Sequence, residues 1–387
     1  MYLANNKWLK YVKMILVTAE EFGYGPIITA IYFLEQVNNY KHIECVFAGK
    51  GLSLVQAKKS DLFVECAECD LKDNDQIINF LNNRSDINTI ISFENLESII
   101  VGVHKHLKTI YIDNLFWMWK SIPEELNRVD NYIIVDSFGN LDENLSRIGK
   151  KIKNKTIIGP LRNVNQKTNK DSELNKSVLI GLGGADSYLM NKPVVYKFYE
   201  KLVLQIGNNV NEILGDLEIN VCGGDGIIKF LKTKIQNSKY SFRTMTHNNF
   251  LKLMSNSRYV FLTPGLGNFF ESTTLEQEVC FLLPINYSQY WQCEYYKKMN
   301  RKVWCINWNN LFLDCKISQY LEESEGVFQV EENIQRYMLR NDAQLGFETY
   351  IDDYIRRSIV DKKNINRIPY SEDKYENFYT KIIGMLE

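Results

Sequence analysis

The chain has 387 residues, 45% hydrophobic and 13% aromatic, with 46 basic against 47 acidic residues and a net charge of -1. That length exceeds one ordinary domain and suits two, each with enough apolar residues for its own core. The charge balance argues against an electrostatic nucleic-acid binder, and no run approaches about 18 consecutive apolar residues, so no transmembrane helix is expected.

The opening MYLANNKWLKYVK lacks the apolar core and cleavage site of a signal peptide and reads as an appendage. Short β-type runs then alternate with helical patterns: Met14–Thr18, Ile43–Ala48, Asn88–Ser92, Thr109–Asp113 and Tyr132–Val135, with a helix expected from about Ile27 to Val37. Such alternation indicates βαβ units and a parallel sheet. The polar stretch Asn163 to Lys176 reads as a linker. The rhythm restarts at Ser177–Leu182, Leu217–Cys222, Tyr259–Thr263 and Cys280–Pro284, and the chain ends in helical patterns such as Tyr350–Ile359. The expected organisation is an N-terminal α/β domain over 1–162, a linker over 163–176, a second α/β domain over 177–350, and C-terminal helices over 351–387, for which packing back on the first domain is open. Most of the cysteines lie inside apolar runs, as in a reduced cytoplasmic protein. The lone Cys66-x-x-Cys69 pair and His104-x-His106 lack the further ligands that would make them zinc sites.

Doubly wound domains bind ligands beyond the carboxyl ends of their strands, and the residues that stand out are there. Gly181-Leu182-Gly183-Gly184-Ala185-Asp186-Ser187 suits close approach of backbone N–H groups to a phosphate, although a tight turn reads equally well. It has neither Walker A spacing nor a complete GxGxxG, which disfavours ATPase and dinucleotide readings. Cys222-Gly223-Gly224-Asp225-Gly226 follows another strand, and a plain turn explains it as well. Thr263-Pro264-Gly265-Leu266-Gly267-Asn268 enters a helix that carries Glu271, placed to accept both hydroxyls of a ribose. Asn286, Tyr287, Ser288 and Gln289 suit recognition of neutral hydroxyls.

In order and spacing the run from Phe242 to Gln292 resembles the donor-binding half of GT-B glycosyltransferases, particularly the group containing the peptidoglycan N-acetylglucosaminyltransferase. The resemblance implies an α/β fold of two doubly wound, Rossmann-like parallel-sheet domains facing a cleft. It implies a sugar donor held by Gly183, Gly184, Thr246, His247, Gly265, Gly267, Asn268, Glu271 and Gln289, with Glu271 on the ribose and Gln289 on the sugar. It also implies no cofactor and no essential metal beyond the nucleotide-sugar co-substrate. Phe22-Gly23-Tyr24-Gly25-Pro26, Ile112 to Trp119 and Asn286 to Gln289 are similar to short motifs of cytosylglucuronate synthases, which join glucuronate from UDP-glucuronate to cytosine. The expected partners are therefore a UDP-sugar and a small acceptor. On the acceptor side, Glu20, Glu21 or Asp113 is expected as the base and Gly23, Gly25 and Trp117 as acceptor contacts. A charged loop is the alternative for Glu20 and Glu21, core packing for Trp117, and helix capping for His247. A GT-B-fold epimerase or hydrolase, or a non-catalytic nucleotide-sugar-binding subunit, would present the same donor half.

Overall fold

The protein, as a computed structural model, is described for residues 14–161, 175–185, 189–299, 303–360 and 382–384. The N-terminal appendage, all of the linker except its last two residues, Asp186, Ser187 and most of the stretch after residue 360 lie outside those residues.

The first domain is a seven-stranded parallel sheet built from β1 (Met14–Ala19), β2 (Cys45–Gly49), β3 (Phe63–Glu68), β4 (Ile87–Phe93), β5 (Lys108–Asp113), β6 (Asn131–Val135) and β7 (Lys155–Ile158). Its strand order is β3-β2-β1-β4-β5-β6-β7. Helices α1 (Gly25–Asn38), α2 (Gly51–Ala57), α3 (Asn74–Asn82), α4 (Leu96–His104) and α5 (Asp142–Arg147) connect them. In α1, Pro26 starts the helix without losing a needed hydrogen bond, and Ile27, Ala30, Phe33, Leu34 and Val37 bury one face at helical spacing. Asn95 caps α4 by accepting from the backbone N–H of Ser98 at 2.9 Å.

The second domain is a six-stranded parallel sheet of β8 (Asn175–Gly181), β9 (Glu218–Cys222), β10 (Tyr240–Arg243), β11 (Ser257–Leu262), β12 (Cys280–Phe281) and β13 (Trp304–Cys305), in the order β10-β9-β8-β11-β12-β13. Its helices are α6 (Lys192–Leu214), α7 (Asp225–Lys234), α8 (His247–Asn256), α9 (Leu266–Thr274), α10 (Tyr287–Met299), α11 (Trp308–Leu311), α12 (Glu323–Leu339) and α13 (Asn341–Val360). The run expected as a strand over Cys280–Pro284 pairs only at Cys280 and Phe281. The expected boundary at 350/351 falls inside α13, one uninterrupted helix. That helix packs on the second domain: Gln205 of α6 donates to Glu348 at 2.8 Å, and the Tyr354 ring meets Phe261 of β11 edge to face. Further along, Ile382 is fully buried in the core of the first domain.

Side chains from both domains interlock beside the cleft. Trp117 sits edge-on against Phe138 of its own domain and Tyr295 of α10, with ring centroids 5.2 Å apart in both pairs. Gln319 links the same two elements, donating to the Tyr295 hydroxyl at 2.7 Å and to the Trp117 carbonyl. The Arg147 guanidinium lies over the Tyr320 ring at 4.1 Å, and Lys120 pairs with Glu322. Among the described residues no helix is long and apolar enough to cross a membrane.

Candidate functional site

In a doubly wound sheet the crevice opens where successive crossovers leave in opposite directions. In the first sheet that point lies between β1 and β4, and in the second between β8 and β11. The residues just beyond these strands are the turn from Glu20 to Gly25, the turn from Glu94 to Asn95, the Gly183-Gly184 turn and the Thr263 to Gly265 turn. The two crevices face each other. A Cβ on Gly184 would stand 2.8 Å from the Gly23 Cα and 2.9 Å from Leu52, so the first turns of the two domains touch backbone to backbone.

On the second-domain side, Gly183 takes a left-handed φ of 63°, which a side chain would strain, and its carbonyl accepts from Gly224 N at 3.0 Å. Thr263 ties the neighbouring turn to the end of β8 by donating to the Gly181 carbonyl through both N and Oγ1. Gly265 is the N-cap residue of α9, and the Asn268 side chain donates back to the Thr263 carbonyl at 2.9 Å. The first N–H groups of α9 thus open beside Gly183, an arrangement that favours an anion. Gly267 is exposed, and a Cβ there would meet the Glu271 carboxylate, which folds back along the helix start.

Glu271 is 8% exposed, and its Oε1 accepts from His247 Nε2 at 2.9 Å. His247 therefore does not cap its helix. Thr246 does, with its hydroxyl accepting from Asn249 N. Burial pushes the His247 imidazole down, but the Glu271 carboxylate, with Glu35 of α1 adding to it, more than compensates and holds it above the ordinary histidine range. Because the folded value is raised, the pair's contribution is fully present below about pH 6.5 and is lost as pH rises through the raised value. His247→Ala is therefore expected to lower stability by about 0.5–2 kcal/mol in mild acid and by much less near pH 9. Urea denaturation at both pH values checks this, and an equal loss at both would remove the charged pair.

Beside the Met245-Thr246 turn lies an open cavity of about 610 Å³, lined by Phe242, Arg243, Asp225, Ile228 and Asn249 and reached by Lys59 from the first domain. Gln289, expected on the sugar, uses its Oε1 to accept from Ile285 N at 2.9 Å, while its own backbone N–H donates to Asn286 Oδ1. Its role in this structure is to close the turn into α10.

On the first-domain side the expected residues separate. Glu20 is 8% exposed and committed, with Lys72 at 2.9 Å and Asn95 Nδ2 at 2.8 Å on its two oxygens. Glu21 lies against Gly51 and 3.9 Å from Lys50. Gly23 has a left-handed φ of 66°, and Gly25 is the first residue of α1. Asp113 is fully buried and accepts from Tyr132 Oη at 2.6 Å, Leu115 N at 2.8 Å and Trp119 Nε1 at 3.0 Å. Burial still drives its carboxyl up to about 6 against those donors. Buried and saturated, Asp113 fixes the aromatic turn instead of presenting a base. Trp117 is 1% exposed, with Nε1 donating to the Asn114 carbonyl at 2.9 Å, so it offers no open face for stacking an acceptor. Of the other residues set aside, Cys66 and Cys69 have thiols pushed up chiefly by burial, and His104 and His106 face solvent.

The sequence reading passed over Glu94. It follows β4 as Glu20 follows β1, with a left-handed φ of 63° rare for a residue with a side chain. Asn114 hydrogen-bonds its carboxyl, and burial with help from Asp113 and Glu323 raises it to about 8. The strand-end rule that selected Glu20 and Asp113 would have found it.

The sequence matches no family model and no curated protein. Solved structures do share the fold. UGT89C1 of Arabidopsis thaliana complexed with UDP aligns with a TM-score of 0.54 at 10% identity, covering 97% of this chain and 100% of that one. TcCGT1 in complex with UDP aligns with a TM-score of 0.52 at 10% identity, covering 96% and 99%. MurG of Acinetobacter baumannii aligns with a TM-score of 0.42 at 9% identity, covering 89% and 99%. The architecture is GT-B, two parallel-sheet α/β domains with their crevices opposed.

Proposed function

We propose that this chain transfers a sugar from a nucleotide-sugar, a UDP-sugar, to a small acceptor seated on the first domain. The observation that carries the reading is the opposition of the two crevices, with a glycine turn and the start of α9 on one side and carboxylates on the other. Backbone N–H groups at Gly183-Gly184 and Gly265 to Asn268 would stabilise the diphosphate as its negative charge grows in the transition state. Glu271 would take the ribose hydroxyls, sharing Oε1 with His247. The cavity beside Met245 and Thr246 has the size and position for the base. UDP is bound by two of the proteins that share the fold, which supports the choice of donor. The short motifs resembling cytosylglucuronate synthases support glucuronate and cytosine as the narrower pair.

Calorimetric titration with UDP, other nucleoside diphosphates and a panel of UDP-sugars tests the reading. UDP is expected to bind, and Glu271→Ala is expected to weaken it by roughly 1.5–3 kcal/mol through lost charge-assisted hydrogen bonds. No binding of any nucleotide would sink the donor site, and unchanged affinity in the variant would remove Glu271 from it. UDP release from UDP-glucuronate on adding cytosine tests the narrower pair.

A further inference from the structure

We infer that Glu94 is the carboxylate that accepts the acceptor's proton. The inference rests on the transferase reading and assigns the base to a residue that the sequence reading passed over.

The argument begins with position. β1 and β4 flank the crevice of the first sheet, and the residues leaving them are Glu20 and Glu94. The strand ends are tied together: Glu20 N donates to the Phe93 carbonyl at 2.9 Å, and Glu94 N to the Ile112 carbonyl at 3.1 Å. Glu323, at the start of α12 in the second domain, is near enough for its charge to act on the Glu94 carboxyl. A residue held with a left-handed backbone at the mouth of a crevice is a recurrent mark of a functional position. Of the five described non-glycine residues with a positive φ, Ala185, at 48° beyond the glycine turn of the opposite crevice, is another at the cleft.

Three neighbouring carboxylates, Glu20, Glu97 and Asp113, are engaged. Glu20 is paired with Lys72 and Asn95, Glu97 with Lys72 at 3.0 Å, and Asp113 is sealed beneath the aromatic turn. Glu94 differs in its charged neighbours. Asp113 on β5 and Glu323 on α12 are both acidic, and the hydrogen bonds from Asn114 orient the carboxyl. Burial first, then these two carboxylates, lift it to about 8, where its basicity is matched to deprotonating a hydroxyl or ring nitrogen near neutral pH. Glu323 is itself raised to about 7, chiefly by burial and then by Glu20, with Lys72 opposing.

In the step, the acceptor's X–H proton passes to a Glu94 oxygen as the X–C1 bond forms. The bond from C1 to the diphosphate oxygen breaks, and its electron pair leaves with the nucleoside diphosphate. The protonated Glu94 then returns its proton to solvent.

The test uses the full chain and its Glu94→Gln and Glu94→Asp variants. UDP affinity is measured first. Steady-state UDP release is then followed from pH 6 to 10 with the donor and acceptor that the wild type turns over fastest, water counted among the acceptors. The wild type should gain kcat/KM as pH rises through about 8. Glu94→Gln should bind UDP as the wild type does, lose about 10²–10⁴-fold in turnover and lose the rising limb, with partial rescue in Glu94→Asp. Thermal unfolding at pH 9 guards against misfolding, since removing a half-buried carboxyl that ionises only with difficulty should leave the Gln variant at least as stable there. Wild-type turnover in Glu94→Gln, or a rising limb that survives in it, overturns the assignment. So does a protein that binds UDP and releases none with any pair. Failure of the wild type to bind UDP overturns the transferase reading itself, and this inference falls with it.

Discussion

Asp113→Ala is expected to destabilise the protein by about 3–5 kcal/mol. The side chain is fully buried and serves as acceptor for the Leu115 N–H, the Trp119 indole and the Tyr132 hydroxyl. Alanine would leave all three donors buried without their partner, each at a cost of about 1–3 kcal/mol before relaxation. The damage would reach the interface between the domains, because the turn that Asp113 fixes carries Trp117 into contact with Tyr295. The pH dependence has a definite sign. The folded carboxyl titrates near 6, above its unfolded value of about 3.9. Its contribution is therefore fully present below the unfolded value and declines as pH rises through about 6. The gap between wild type and Asp113→Ala should accordingly be wider at pH 5 than at pH 8, read by urea denaturation at each. A gap that widens with pH would show that the buried carboxylate stabilises the fold as a charge.

Gly184→Val is expected to cut transfer at least about 100-fold beyond any loss of UDP affinity, the scale of an ångström-sized misplacement of reacting groups. The Cβ alone would stand 2.8 Å from the Gly23 Cα and 3.1 Å from its carbonyl carbon. Those neighbours are backbone, which cannot rotate aside as the tip of Leu52 can. The first turn of one domain must then withdraw from the other, and the donor and acceptor sides of the cleft move apart. The proposed nucleotide contacts lie in the second domain except where Lys59 reaches the cavity, so turnover should fall further than binding. Calorimetry with UDP beside a UDP-release assay reads both, and undiminished turnover would mean that the apposition of these turns is not needed for transfer.

How the molecule divides between what its residues announce and what folding decides is clearest at the sheets. The strands recognised from sequence are the interior ones, β1, β2, β4, β5 and β6 in the first domain and β8, β9, β11 and β12 in the second. Interior parallel strands are covered on both faces, and their residues form short apolar runs such as those in β1 and β11. The strands passed over, β3, β7, β10 and β13, are the four sheet edges. Edges are half exposed, as the Glu residues of β3 and the exposed Lys155 of β7 illustrate. Such segments are chosen by a neighbour's free backbone more than by their own pattern.

The donor side follows the same logic. Glycines at strand ends and a glutamate at a fixed distance into the next helix are local features, so the sequence by itself singled out Gly183-Gly184, Gly265 and Glu271 as candidates and indicated two domains of one architecture. Which carboxylate serves the acceptor side is a property of burial and neighbours, and these come from elements far apart in the chain. Asp113 and Glu94 both stand at strand ends and read alike in sequence. Only the tertiary structure folds Trp119 and Tyr132 over Asp113, and only it brings the charge of Glu323 from the second domain to act on Glu94. The difference is physical: strand and turn preferences act over a few residues, whereas desolvation and charge depend on everything within several ångströms.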